Sequence, residues 1–139
     1  MMVLVDTSVW SLALRRQVMA ESDAGIAKDL AELIKELRVL IIGPIRQELL
    51  TGISEEAKFE ELKTRLGIFI DTIMIPKDFE FAASLSNACR RQGIQGSHID
   101  FMICAISIRT GSEIFTLDMD FEDYARFVPI KLYRYRKAS

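Results

Sequence analysis

Short unbroken apolar runs alternate along this chain with longer stretches whose apolar residues recur every three or four positions. The runs are Val3-Leu4-Val5, Val39-Leu40-Ile41-Ile42, residues 69–75, Ile114-Phe115-Thr116-Leu117 and residues 129–133. Runs of this kind read as strands buried on both faces. The stretches between them read as helices. Residues 8–15 place Val9, Leu12 and Ala13 at helical spacing, and residues 26–37 place Ile26, Leu30, Leu33, Ile34 and Leu37 on one face. A third helix is entered through Gly43-Pro44 and stopped at Thr51-Gly52. Residues 54–66 bury Phe59, Leu62 and Leu66, and residues 78–91 turn Phe79, Ala82, Ala83 and Leu85 inward. Residues 97–110 form the most apolar helix, stopped by Gly111, and 121–126 a short last one. Strands separated by helices predict an α/β domain with a largely parallel sheet. No repeat, linker or low-complexity segment breaks the pattern, so residues 1–139 are expected to form one domain.

Composition narrows this only slightly. With 50% hydrophobic and 27% charged residues among 139, the chain is globular and large enough for a real core. No apolar stretch approaches a membrane span, and no signal peptide is visible, so the cytosol is the expected compartment. Cys89 and Cys104 lack ligand-like spacing and are expected as small buried thiols. A net charge of −2 argues against non-specific coating of nucleic acid but is compatible with a nuclease rich in carboxylates.

The acids carry the candidate chemistry. Asp6 ends the first strand, Glu48 lies in the helix after the second, Asp100 is in the first turn of the most apolar helix, and Asp118 and Asp120 follow the fourth strand. In open parallel sheets ligands bind beyond the carboxyl ends of the strands. Each acid also has an ordinary reading: Asp6 as an N-cap, Asp100 as the partner of Ser97 in a capping box, Glu48 as a partner of Arg46, Asp118 and Asp120 as turn and cap residues. Asp29, Glu32, Glu60 and Glu61 read as solvated charges on polar helix faces. What sets the first group apart is apolar surroundings and arrival at one predicted edge. Carboxylates there are costly to keep ionised without a partner, and a hard cation such as Mg²⁺ or Mn²⁺ would supply one.

Four segments in register, Val3-Leu4-Val5-Asp6-Thr7-Ser8, residues 44–52 around Glu48, Ile99-Asp100-Phe101-Met102-Ile103-Cys104-Ala105 and Phe115-Thr116-Leu117-Asp118-Met119-Asp120-Phe121, resemble a PIN domain of the VapC toxin type. The resemblance covers essentially the whole chain. It implies a three-layer α/β/α sandwich with a mostly parallel central sheet. It also implies a Mg²⁺- or Mn²⁺-dependent endoribonuclease with catalytic residues Asp6, Glu48, Asp100, Asp118 and Asp120. Asp6, Asp100 and Asp118 would be the direct metal ligands, and Thr7, Ser8 and Thr116 the neighbouring hydroxyls. The implied partners are an RNA substrate, a small antitoxin and a second copy of the chain. Trp10 and the apolar residues of the helices near Ile26 and Ser54 are candidate surfaces, with core burial their default reading. Arg15, Arg16, Arg46, Arg90, Arg91, Lys131, Arg134, Arg136 and Lys137 are candidates to grip RNA, and His98 a candidate for RNA contact or proton transfer. The alternative is a non-catalytic PIN-fold module binding RNA or protein. A dehalogenase-type phosphatase is disfavoured because position 8 is Ser8 rather than a second acid.

Overall fold

Val3, Leu4 and Val5 have no solvent contact in the computed structural model, which describes residues 1–14 and 21–134. Successive strand residues point to opposite faces, so complete burial of all three means that β1 (Val3–Val5) is covered on both sides. It is the centre of a parallel sheet, flanked by β2 (Val39–Leu40) and β3 (Glu113–Phe115), with Val3 opposite both Val39 and Glu113. The covering layers are α1 (Thr7–Leu14), α2 (Glu21–Lys35), α3 (Gly43–Leu50), α4 (Glu56–Leu66), α5 (Pro76–Arg91), α6 (His98–Thr110) and α7 (Asp120–Tyr124). α1 packs on α2 and α3, α3 on α4, and α5 runs along α6, which touches β3. The fold is the expected α/β sandwich. Trp10, Ile26, Leu30, Leu33 and Leu66 are all core residues rather than free surfaces. Both cysteines are buried free thiols.

Two expected strands shrink to single bridges at the sheet's outer edges, Asp71 beside Ile41 and Leu132 beside Ile114. The segment around Asp71 is drawn into other bonds. The Arg46 guanidinium binds the Asp71 carboxylate at 2.6 and 2.9 Å and also donates to the carbonyls of Leu66 and Phe69. Those carbonyls are then satisfied without a longer ladder. Ile68, Ile70 and Ile73 on this segment face solvent.

Four side chains face the other way from expectation. Leu37 is 83% exposed, because α2 ends at Lys35 and Leu37 adopts φ 57°. Its N–H reaches Ile34 O while Arg38 N–H reaches Leu33 O, the left-handed helix stop that favours glycine. Leu37→Gly is expected to raise stability by about 1 kcal/mol, the cost of holding a side chain in that conformation, read by chemical denaturation. Asp29 is buried at 3% exposure and is not without a partner, because the inner face of α2 is wider than its apolar stripe. On α5 the inner face is Asp78, Ala82, Leu85 and Cys89, which turns Phe79 and Ala83 outward. Asp78 sets that rotation: its carboxylate accepts from Arg109 of α6 at 2.6 and 3.0 Å and from Ile75 N–H at 2.9 Å.

Candidate active site

Parallel strands put all their carboxyl ends on one edge, so the residues that leave β1 and β3 meet there. Asp6 leaves β1, its N–H donating to Phe115 O, and its own carbonyl accepts from Val9 and Trp10 to start α1. The backbone thus caps the helix, and the Asp6 side chain is left for other partners. Oδ1 accepts from Thr7 N–H at 2.8 Å; Oδ2 accepts from the Ser8 hydroxyl at 2.9 Å and the Thr116 hydroxyl at 2.7 Å. Thr116, just past β3, also accepts from Asp118 N–H, and Ser8 accepts from Leu117 N–H. These two hydroxyls tie the ends of β1 and β3 together under the acids. With about four acceptor positions on a carboxylate, Asp6 retains one on Oδ1.

Around it opens a cleft of about 390 Å³ lined by Asp6, Thr7, Ser8, Glu48, Asp100 and Asp118, among others. Two of these acids draw tighter still with Asp120, which follows Asp118 by two positions: ligand atoms of Asp100, Asp118 and Asp120 lie within 4.8 Å of one another. Asp118 Oδ1 accepts from Asp120 N–H at 2.9 Å, which fixes the turn into α7. Glu48 is exposed at the rim, so the cost of burial does not apply to it. Nor does it pair with Arg46, which faces Asp71. The tightest trio therefore includes Asp120, whereas Asp6 sits among its three donors on the same cleft.

Asp100 is half-buried in the first turn of α6. Its N–H donates to Ser97 Oγ at 3.1 Å, half of the expected capping box. The other half is replaced, because Asp100 Oδ2 accepts from the Tyr124 hydroxyl at 2.6 Å. Burial pushes the Asp100 carboxyl above its ordinary range. Hydrogen bonding with Tyr124 and Ser97 opposes this, and the charges of Asp118 and Asp6 add to it. Burial and the Asp100 acceptor push the Tyr124 phenol up, so it remains a donor. Below, Cys104 is raised by burial and then by the Asp100 charge, which makes it an inert thiol.

Tyr124, the partner of Asp100, is what pattern reading missed, since a buried aromatic reads as core. A faint signal exists in Gly96. A Cβ there would meet the Tyr124 hydroxyl, with Tyr124 Cζ at 2.7 Å and Phe101 Cε2 at 2.9 Å, so only glycine lets the ring reach Asp100. Gly96→Ala is expected to cost about 1–3 kcal/mol by overpacking, measured by thermal melting, and to release Asp100 from the phenol.

The hydroxyl of Thr7 is buried at this cleft without a hydrogen-bond partner among the described residues. A buried polar atom of this kind calls for a water or an ion. Together with three carboxylates in mutual reach, this all-oxygen donor set fits a hard divalent cation.

Of the candidate RNA-gripping residues, Arg46 is taken by Asp71, and Arg134 pairs with Glu122 at 2.9 Å. Arg90, Arg91 and Lys131 are exposed; Arg15, Arg16, Arg136 and Lys137 lie outside the described residues. His98 does not line the acidic cleft but a neighbouring cavity.

The geometry defines a class: parallel α/β proteins with a carboxylate-lined cleft at the carboxyl edge of the sheet. The PIN domain family matches residues 3–127, and the chain belongs to that family. It is 29% identical over 140 residues to a VapC ribonuclease of Mycobacterium bovis and, equally, to ribonuclease VapC11 of Mycobacterium tuberculosis, covering 97% of this chain and all of each relative. Among solved structures it resembles VapBC2 from Rickettsia felis bound to a DNA fragment from its promoter, with a TM-score of 0.76 at 16% identity over 98% of this chain and 100% of that one. FitAcB from Neisseria gonorrhoeae superposes with a TM-score of 0.74 at 21% identity, over 96% and 97% of the two chains.

Proposed function

We propose that the chain is a Mg²⁺- or Mn²⁺-dependent endoribonuclease and the toxin of a type II toxin–antitoxin pair. The observation that carries this reading is the gathering of Asp100, Asp118 and Asp120 within 4.8 Å, with Asp100 and Asp118 lining a cleft shared with Asp6 and Glu48. Carboxylates this close repel one another, and a divalent cation relieves that repulsion. Asp100, Asp118 and Asp120 would hold it, with Asp6 and the Thr7 hydroxyl offering further oxygens. A cation there supplies positive charge to offset the phosphate oxygens and acidifies a coordinated water.

The chain's own residues do the rest. Asp6, locked by Thr7, Ser8 and Thr116, gives the cleft a rigid wall. Tyr124 holds Oδ2 of Asp100 and so fixes which oxygen faces the cleft. Glu48, exposed at the rim, accepts the proton of the attacking water. The water oxygen bonds to phosphorus as the bond to the leaving ribose oxygen breaks, the departing oxygen takes up a proton from solvent, and one strand becomes two.

Ribonucleic acid as substrate is supported by the names of the mycobacterial relatives, and an antitoxin partner by the likeness to VapBC2. A homodimer and a cytoplasmic setting belong to the same proposal; no helix among the described residues is long and apolar enough to cross a membrane. The test is cleavage of a total RNA pool. Cleavage is expected with Mg²⁺, to fall to background with a chelator, and to return on adding Mg²⁺ or Mn²⁺. A protein that binds RNA yet cleaves none under either ion would be a binding module instead. The product of an abutting reading frame, if it is the antitoxin, is expected to suppress cleavage on mixing.

A further inference from the structure

The turn that opens α6 has two sides. Ser97, Ile99 and Asp100 line the acidic cleft, while Gly96, His98, Phe101 and Met102 line a second cavity of about 350 Å³. Residues of one helix fan out by about 100° per position, so a single turn can wall both spaces. The far wall of the second cavity is α5, from Phe79 to Arg90.

The lining has a definite chemistry. Phe79 is 47% exposed, held outward because Asp78 is anchored to Arg109. Asn87 offers an amide that both donates and accepts. The side chains of Arg90 and His98 have no hydrogen-bond or ion-pair partner among the described residues, unlike those of Arg46 and Arg109, which carboxylates hold. An exposed aromatic ring, an amide and a free guanidinium are the groups that stack a base, read its edge and bind a phosphate. The volume lies at the lower end of small-ligand sites, about 300–1,000 Å³.

We propose that this cavity binds one nucleotide of the substrate strand beside the scissile phosphate, with its base against Phe79, its edge at Asn87 and a phosphate at Arg90. The reading rests on the ribonuclease proposal for its substrate, but a nucleotide site is measurable without any cleavage. A free nucleotide offers the same chemistry, and the experiment separates the two.

Protein labelled with carbon-13 at its methionine methyls is titrated, in chelator, with each of the four ribonucleoside 5′-monophosphates and with a 2′-O-methylated trinucleotide. Met102, assigned through Met102→Leu, reports on the cavity. Without metal the acidic cleft repels phosphate; Met102 also borders a recess beside Glu48 and Ile99, so a Met102 shift is assigned to the second site when Arg90→Gln weakens it. A saturable shift is expected with at least one mononucleotide and with the trinucleotide, weakened in Arg90→Gln. In cleavage assays with Mg²⁺, Phe79→Ala is expected to raise KM about five- to twentyfold, with most of the loss in KM rather than kcat, and to flatten the base preference at one position beside the cut. Both residues are exposed, so neither variant should change the melting temperature. No Met102 shift at millimolar concentrations of any nucleotide overturns the proposal, whether or not RNA is cleaved. A shift with mononucleotides alone, and unchanged KM and base preference in both variants, assigns the cavity to a free nucleotide and overturns the flanking role. A shift with both probes from a protein that cleaves no RNA leaves the nucleotide site standing and removes the ribonuclease reading.

Discussion

Asp6→Asn and Asp100→Asn are both expected to lower RNA cleavage by about 10²–10⁴-fold, the range over which a positioned catalytic or electrostatic group counts. Their effects on stability should differ in sign. Asp6 accepts from Thr7 N–H, Ser8 and Thr116, and is 8% exposed. An amide in its place loses charge-assisted bonds and turns an NH₂ toward groups that were donating. A loss of about 1–3 kcal/mol follows for the metal-free protein. For Asp100 the folded surroundings favour the protonated acid, with burial the main cause. A carboxyl raised in this way contributes stability below its unfolded pKa, and that contribution is lost as pH rises through the folded value. At neutral pH the charged Asp100 is therefore a burden, and the neutral amide, still able to accept from Tyr124, leaves the metal-free protein at least as stable as wild type. Chelated samples of both variants in a thermal melt, alongside cleavage rates, check the pattern. An Asp100→Asn protein that cleaves at the wild-type rate would remove Asp100 from the active site.

The acids at the cleft were legible because each interrupts an apolar run or lies at the start of an apolar helix. Placement of Asp6 and Asp118 on one edge follows from parallel strands alone, whereas Glu48 and Asp100 reach it on α3 and α6. How they divide the work does not follow from this. Asp120 falls two residues beyond Asp118, and only the tight turn, closed by its own N–H onto Asp118, brings it into the trio with Asp100. The Tyr124 bond to Asp100 spans 24 positions, and periodicity carries no information about which buried aromatic keeps its hydroxyl for a distant carboxylate.

The strands and helices followed from the apolar pattern, with the errors at ends and edges. Residues 69–75 have the composition of a strand, yet Arg46 takes up its neighbouring carbonyls and Asp71, so pairing stops at one bridge. Leu37 extends the apolar spacing of α2 by one more step, but the helix stop requires a left-handed residue there, and that requirement outweighs burial of one leucine. On α5, Phe79 looked inward by hydrophobicity. The winner was the Asp78 carboxylate, whose partner Arg109 lies 31 residues on. A charged pair that chooses the helix face cannot be read from hydrophobic spacing, and here it leaves an aromatic ring at the mouth of a cavity.

That pair should also be the strongest single polar anchor between α5 and α6. Arg109 binds both Asp78 oxygens at 2.6 and 3.0 Å and donates to Ile73 O. Arg109→Met keeps most of the aliphatic stem but strands a carboxylate whose side chain is 3% exposed. Removing one partner of a buried pair costs about 3–5 kcal/mol. Because the guanidinium is 40% exposed and partly screened, the low end applies, about 3 kcal/mol. Acid dependence supplies the second readout. Burial alone would raise the Asp78 carboxyl; hydrogen bonds from Arg109 and Ile75 and the Arg109 charge together bring it below its ordinary 3.8. A carboxyl lowered in this way contributes stability above its unfolded pKa, and loses it as pH falls through the folded value. The wild type should therefore lose this contribution only below about pH 4. In Arg109→Met the stranded acid is raised instead, so the deficit should be largest at neutral pH and shrink as Asp78 is protonated. Denaturation midpoints across pH 3 to 7 check both signs; a deficit that stays constant with pH would mean that the loss is one of packing and not of charge.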